Sequence, residues 1–220
     1  MSVGARDTRP LAVQVHEKIA SEIVDGTLAP GTALVQEQVA AQYGVSRTPV
    51  RDALTQIVLE GLATLVPGSG CVVNDLTAQD VHHVFEVRYH LEQLACRQAL
   101  GLHTAVQMVR LRALVDEFET VDPDDAEEQF RLGREFHLKL IEPCPNRYLV
   151  ETLNAIWSHP IQRRITRAYK LGEEHQASIA KAHREILEAF AATDLDTIVS
   201  VLGYCHDPGD VFPGMLGTTS

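Results

Sequence analysis

The chain lacks what marks membrane, secreted or metal-ribbon proteins. Its 220 residues contain no continuous apolar stretch of about 18, so no spanning helix is expected. Cysteine is scarce: Cys71, Cys96, Cys144 and Cys205 are scattered, with no CxxC spacing. That excludes a disulfide framework and a zinc ribbon, and a reducing cytoplasm fits best. Met1 to Pro10 is polar, so no secretory signal is expected there. No Gly-rich loop of the Walker or dinucleotide type occurs, and no cysteine sits in a pattern that argues for nucleophilic catalysis. Internal repeats and low-complexity tracts are missing too. Positive charge is in deficit, with 19 Lys and Arg against 30 Asp and Glu and a net charge of −11. This disfavours nucleic-acid binding through bulk charge but leaves room for a local basic surface.

What is present is apolar mass. Hydrophobic residues make up 45% of the chain and charged residues 22%, enough for one large domain or two small ones. Texture changes at Asn74-Asp75. Residues 1–75 mix short apolar runs with Gly and Pro, while 76–206 read as long helical segments with few breakers. The stretch 207–220, with Pro208, Gly209, Pro213, Gly214 and Gly217, reads as a loose tail.

In the first region Leu11, Val15, Ile19, Ile23 and Val24 line one helical face, and Gly26 ends it. Pro30-Gly31 is a turn. Val35, Val39, Ala40 and Tyr43 define a second helix, stopped at Gly44. Ser46 is a suitable N-cap for a third helix that tolerates Pro49 in its first turn. That helix turns Val50, Ala53, Leu54, Ile57 and Val58 inward and stops at Gly61. Leu62–Val66 and Cys71–Asn74 read as two strands around a Pro67-Gly68-Ser69-Gly70 turn. Three helices and a hairpin in this order make a winged helix-turn-helix, in which the second helix braces the third for entry into the major groove.

The second region reads as an all-helical antiparallel bundle, so the fold class is mainly α. Thr77 to Asp80 resembles a capping box and opens a helix to about Leu100. Further helices follow at about 104–119, 125–141, 146–158, 161–171, 173–192 and 194–204. Pro160 breaks or kinks the chain between two of them.

The run from Gly26 to Gly31, the block Val45-Ser-Arg-Thr-Pro-Val-Arg-Asp-Ala-Leu54, Glu60-Gly61-Leu62 and Gly70-Cys-Val-Val73 together resemble the GntR family of bacterial transcription regulators. The second region resembles that family's FadR-like branch with an FCD effector domain. Arg88 to Glu92, Phe136-His137, Asn146 to Leu149 and His183 to Leu187 carry this looser likeness. The resemblance implies a homodimer on a palindromic double-stranded DNA operator, controlled by a small-molecule effector, with an organic acid as the default.

Arg47 and Arg51 lie four apart and share a face at the start of the third helix. Both can donate to phosphates, or to guanine O6 and N7. Ser46 and Thr48 hydroxyls, with the helix N-terminal amides, suit phosphate contact. Gly70 would let the hairpin backbone approach DNA. The bland alternative is a solvated arginine pair. The first 75 residues hold five Lys or Arg and eight Asp or Glu, a balance of −3. Glu37 lies where regulators of this branch can carry a basic residue near phosphate. Weak non-specific binding and a shallow salt dependence are therefore expected. Asp52 can face away from DNA or hold an arginine.

The resemblance also implies an effector pocket, and in many FCD domains a divalent metal held by an aspartate and three histidines. His137 matches the first histidine, but Gly133 stands where the aspartate is expected, four residues earlier. His183 matches the second, and the third position falls on Cys205, with His206 next to it. Such donors suit zinc, nickel or manganese, yet an incomplete set loses affinity, so an absent or weakly held metal is expected. His137 and His183 then serve as polar residues of an effector cavity, and Gly133 leaves space for a larger ligand. Arg88 can pair with an effector carboxylate, or form an internal pair with Glu92. His82 and His83 read as surface, Trp157 as core, and Arg163, Arg164 and Arg167 as a solvated or interdomain stripe. The leading reading is an effector-controlled repressor without enzymatic activity. The alternatives are a metal-dependent enzyme acting on a small carboxylate, and a helical dimer that has lost DNA binding.

Overall fold

The computed structural model describes residues 8–67, 70–168 and 173–205; the side chains of 168, 173–176 and 204–205 lie outside that description, as does the stretch 206–220. The chain divides into two compact units between Asp75 and Leu76.

In the first unit, α1 (Leu11–Val24) buries Val15, Ile19 and Ile23, four residues apart on one face. α2 (Gln36–Tyr43) stops where Gly44 turns left-handed at φ 66°. A side chain there would be strained, so glycine marks the helix end. α3 (Arg47–Leu59) buries Val50, Ala53, Leu54 and Ile57. Ile19 and Ile57 are both fully buried in the shared core. Each such side chain contributes about 1.5–3 kcal/mol of burial free energy. Ser46 occupies the N-cap position of α3 in extended conformation, but its side chain makes no cap hydrogen bond. The expected cap is thus correct in place and wrong in bonding.

The sheet has three strands, one more than the sequence suggested. β1 (Ala33–Leu34) pairs antiparallel with β3 (Gly70–Val73), which pairs antiparallel with β2 (Ala63–Val66). Leu34 and Leu65 both face Cys71 in the register. A two-residue strand has no periodicity to read, so β1 left no signal. Gly68 and Ser69, within the expected turn, lie outside the described residues.

The second unit contains α4 (Ala78–Ala99), α5 (Ala105–Phe118), α6 (Ala126–Leu140), α7 (Arg147–Ser158), α8 (Pro160–Ala168), α9 (Glu173–Ala192) and α10 (Leu195–Cys205). Thr77 and Asp80 form the expected capping box, and a second one joins Thr104 to Gln107. Asn146 and Asp194 accept from Leu149 N and Thr197 N at the starts of α7 and α10. Pro160 separates α7 from α8. His159 before it is extended, as the residue ahead of proline prefers, and the proline opens the next helix. Fully buried Leu111, Val115, Phe136, Leu140, Leu153, Ile186, Ile198 and Leu202 form the main core.

Candidate DNA interface and effector site

Ser46, Arg47, Thr48 and Arg51 are all exposed at the N-terminal end of α3. The buried face of that helix fixes this: Val50, Ala53 and Leu54 point inward, so positions 47, 48 and 51 must point out. Neither arginine is bare. Arg47 Nη1 lies 2.8 Å from Glu37 Oε1, and Arg51 Nη2 lies 3.3 Å from Asp52 Oδ1. Gln36 Nε2 donates to the Arg47 carbonyl at 2.9 Å, which ties the start of α2 to the start of α3. The open question over Asp52 is answered for the free protein: it holds an arginine.

Gly70 has a reason internal to the protein. Its φ is 92°, and a Cβ there would lie 2.5 Å from the Leu34 carbonyl oxygen. Backbone cannot give way as a flexible side chain would, so the β1–β3 contact itself demands glycine. Approach to DNA is not needed to account for this residue.

The second unit buries a polar cluster. Arg88, Glu92, His137, Gln162 and His183 are all buried and come from four helices, with Trp157 of α7 packed among them. Arg88 Nη1 donates to Gln162 Oε1 at 2.9 Å, and its Nε lies 3.5 Å from Glu92 Oε1. Trp157 Nε1 donates to that same carboxylate oxygen at 2.7 Å. His137 Nδ1 is 3.0 Å from Glu92 Oε2. The Arg88 guanidinium stacks 4.1 Å over the Trp157 ring and 4.9 Å from the centre of Phe85. Glu92 is therefore the hub, joined to a cation, an indole and an imidazole.

The structure thus brings Arg88 and His137 together with residues the sequence reading set aside or missed. Trp157 is buried, as expected of core, but its indole N–H makes it part of the polar cluster. Gln162 was missed; its only signal was an amide two residues beyond a proline, between apolar Ile161 and Ile165. The pairing of Arg88 with Glu92 that the spacing allowed is formed.

His183 reaches the cluster from α9, with its ring centroid 5.2 Å from that of His137. Its ring also packs against Phe118 at 4.8 Å and Phe136 at 4.6 Å. The space expected beside Gly133 is bounded by these rings. A Cβ there would meet Phe118 Cε2 at 3.7 Å and His183 Cε1 at 3.9 Å, which is ordinary contact. The position would accept a methyl group in ordinary contact with these two rings.

Among the described residues the donor set for a divalent metal is incomplete. Two imidazoles remain, Gly133 supplies nothing, and the Glu92 oxygens face Trp157, Arg88 and His137. Among the described residues no group of three or more His, Cys, Asp or Glu side chains could hold an ion. The Cys205 side chain and His206, the remaining metal candidates, lie outside the described residues.

Elsewhere, burial raises the Cys71 thiol, and burial with Glu92 and Cys144 nearby raises Cys96 well above its ordinary value. Neither is poised as a thiolate. His82 and His83 are exposed, as expected. Arg163 is not simply solvated, because its Nη2 binds both Glu127 oxygens at 2.8 and 2.7 Å. No described helix is long and apolar enough to cross a membrane.

A three-helix unit with a small antiparallel sheet, followed by a helical unit with a buried polar cluster, defines a class: winged-helix transcription regulators with a ligand-binding domain. The sequence places the chain within it. Residues 11–73 match the model of bacterial regulatory proteins of the gntR family, and residues 83–205 match the FCD domain. The chain belongs to the GntR family and carries an FCD effector-binding domain. It is similar to the HTH-type transcriptional regulator YdhC of Bacillus subtilis (strain 168), with 29% identity over 181 residues, 81% of this chain and 80% of that protein. It is 24% identical over 195 residues to the HTH-type transcriptional repressor RspR of Escherichia coli (strain K12), covering 87% of this chain and 83% of that protein. The solved structure of E. coli McbR/YncC shares the fold, with a TM-score of 0.68 at 22% identity, covering 90% of this chain and 94% of that one. Regulators of this family bind DNA and small-molecule effectors and typically form dimers.

Proposed function

We propose that this chain is a cytoplasmic, sequence-specific repressor that binds a palindromic operator as a homodimer, and that a small organic acid held in the helical unit controls its grip. It has no enzymatic activity. The observation that carries the reading is Arg47 and Arg51, exposed one turn apart at the front of α3. Fork-shaped guanidinium groups there suit guanine edges or phosphates. Ser46, Thr48 and the uncapped first-turn amides suit phosphate.

For the effector, the support is a buried donor. Gln162 is 2% exposed, and its Nε2 is buried with no hydrogen-bond partner among the described residues. A buried amide donor is costly to leave unmade, and a ligand carboxylate entering beside Arg88 would satisfy it. His137, 3.0 Å from Glu92, and His183 beside it would contact the ligand without a metal. Ligand entry rearranges the Arg88–Glu92–Trp157 cluster, which ties α4 to α7 and α8. Two recognition helices must meet half-sites on one face of the duplex, so a small change in their separation costs affinity.

The test uses the full chain and a random-sequence duplex library. Enrichment of a palindromic site, lost in Arg47→Ala and Arg51→Ala, is the expected result; recovery without sequence preference would overturn the reading. Small mono- and dicarboxylates are then screened for release of the enriched duplex. Elemental mass spectrometry of untagged protein checks the metal-free site, and stoichiometric zinc, nickel or manganese would defeat it.

A further inference from the structure

We propose that Glu37 is a specificity-determining residue of the DNA interface, holding Arg47 away from phosphate so that non-specific DNA is bound weakly. The proposal rests on the reading of the α3 end as the DNA-contacting surface. Glu37 lies in the first turn of α2, and its Oε1 is 2.8 Å from Arg47 Nη1. Their side chains are 69% and 65% exposed, so the pair stands in solvent at the end of α3. Gln36 bonds the Arg47 carbonyl and keeps the two helix starts together.

Three electrostatic consequences follow from this placement. The carboxylate neutralises the first guanidinium of α3. It also offsets the partial positive charge at the start of α2, which would otherwise attract phosphate. On DNA it adds a repulsive charge close to the backbone. On an arbitrary sequence, Arg47 can only exchange a carboxylate for a phosphate, which gains little. On the operator it can exchange the carboxylate for a bidentate guanine edge, and Glu37 is then free to accept from a cytosine amino group. The penalty therefore falls mainly on the non-specific mode, which depends on phosphate contacts and counterion release.

An acid in the first turn of α2 would also serve helix stability alone. That role predicts a change in unfolding and none in DNA selectivity. The experiment compares wild type, Glu37→Gln and Arg47→Ala as full chains. The probes are a duplex enriched by the wild-type chain from a random library and a scrambled duplex of equal length and composition, each titrated across salt concentrations. Glu37→Gln should bind the scrambled duplex roughly five- to tenfold more tightly, with the salt slope steeper by about 0.9 per engaged protomer. Operator affinity should rise less, so the ratio of the two affinities falls. Equal shifts for both duplexes, or no shift in either, would overturn the proposal while leaving the interface reading intact. Arg47→Ala with undiminished operator affinity, or failure to enrich any duplex, would instead overturn the interface reading on which it depends.

Discussion

In the winged-helix unit Arg47 and Arg51 pair with carboxylates while their side chains are 65% and 69% exposed. In the helical unit Arg88 and Glu92 pair with side chains only 8% and 1% exposed. The chemistry is the same and the consequences are opposite. An exposed pair is screened by water and salt and can change partner at little cost, which suits a surface that meets phosphate. A buried pair has lost its hydration and depends on every remaining contact. Around Arg88 these contacts are Gln162, Trp157 and Phe85.

Removing one partner of the buried pair gives the largest expected effect. Glu92→Ala removes the carboxylate that Arg88, Trp157 Nε1 and His137 share, and should lower stability in urea by about 3–5 kcal/mol. A loss below about 1 kcal/mol would place Glu92 among ordinary surface-like pairs and erase the contrast. Next comes Gly70→Ala, which meets both an unfavourable φ and the Leu34 carbonyl. Destabilisation on the order of 3 kcal/mol is expected, measured by thermal or urea unfolding.

The exposed arginines should behave in the reverse manner. Arg47→Ala should leave urea stability within about 0.5 kcal/mol and weaken operator binding by about 1–3 kcal/mol. A large stability loss without a binding loss would assign the arginine to the fold. The smallest effect concerns pH. His103 is partly buried, with its ring edge-on to Phe190 at 5.2 Å, and burial holds its pKa below the ordinary histidine value. As pH falls below about 6.5, the unfolded chain takes up this proton before the folded one. Stability should therefore decline toward acid, by at most about 1.4 kcal/mol per pH unit from this group. His103→Gln should flatten that part of the stability profile; an unchanged slope would place the acid sensitivity elsewhere.

The legibility of the two units differed for physical reasons. Helix ends in both were written in local chemistry: Gly44 after α2, Thr77 with Asp80 before α4, Asn146 before α7, Pro160 at the start of α8. Such signals act over four or five residues and survive without tertiary context. The outward face of α3 was equally readable, because its inward face is a simple apolar stripe. Ser46 shows the limit: its position was right, but the hydroxyl makes no cap bond. β1 was invisible because two residues carry no period, and its existence depends on β3 arriving beside it.

The buried polar cluster of the helical unit was only half legible. Arg88 and Glu92 share one helix, and their spacing announced a pair. Trp157 and Gln162 join them from 65 and 74 residues away, a link that no local pattern encodes. Gly133 likewise pointed to a missing ligand, while the rings of Phe118 and His183 decided what surrounds it.

By itself, the sequence determined the order of helices, their ends, the inward and outward faces of α3 and the family to which the chain belongs. These depend on capping, periodicity and short motifs, which are properties of neighbours along the chain. Tertiary structure alone decided which carboxylate meets which arginine, why Gly70 must be glycine, and that Glu92 is the hub of a buried polar cluster. Those outcomes depend on distances between residues far apart in sequence, and only packing sets such distances.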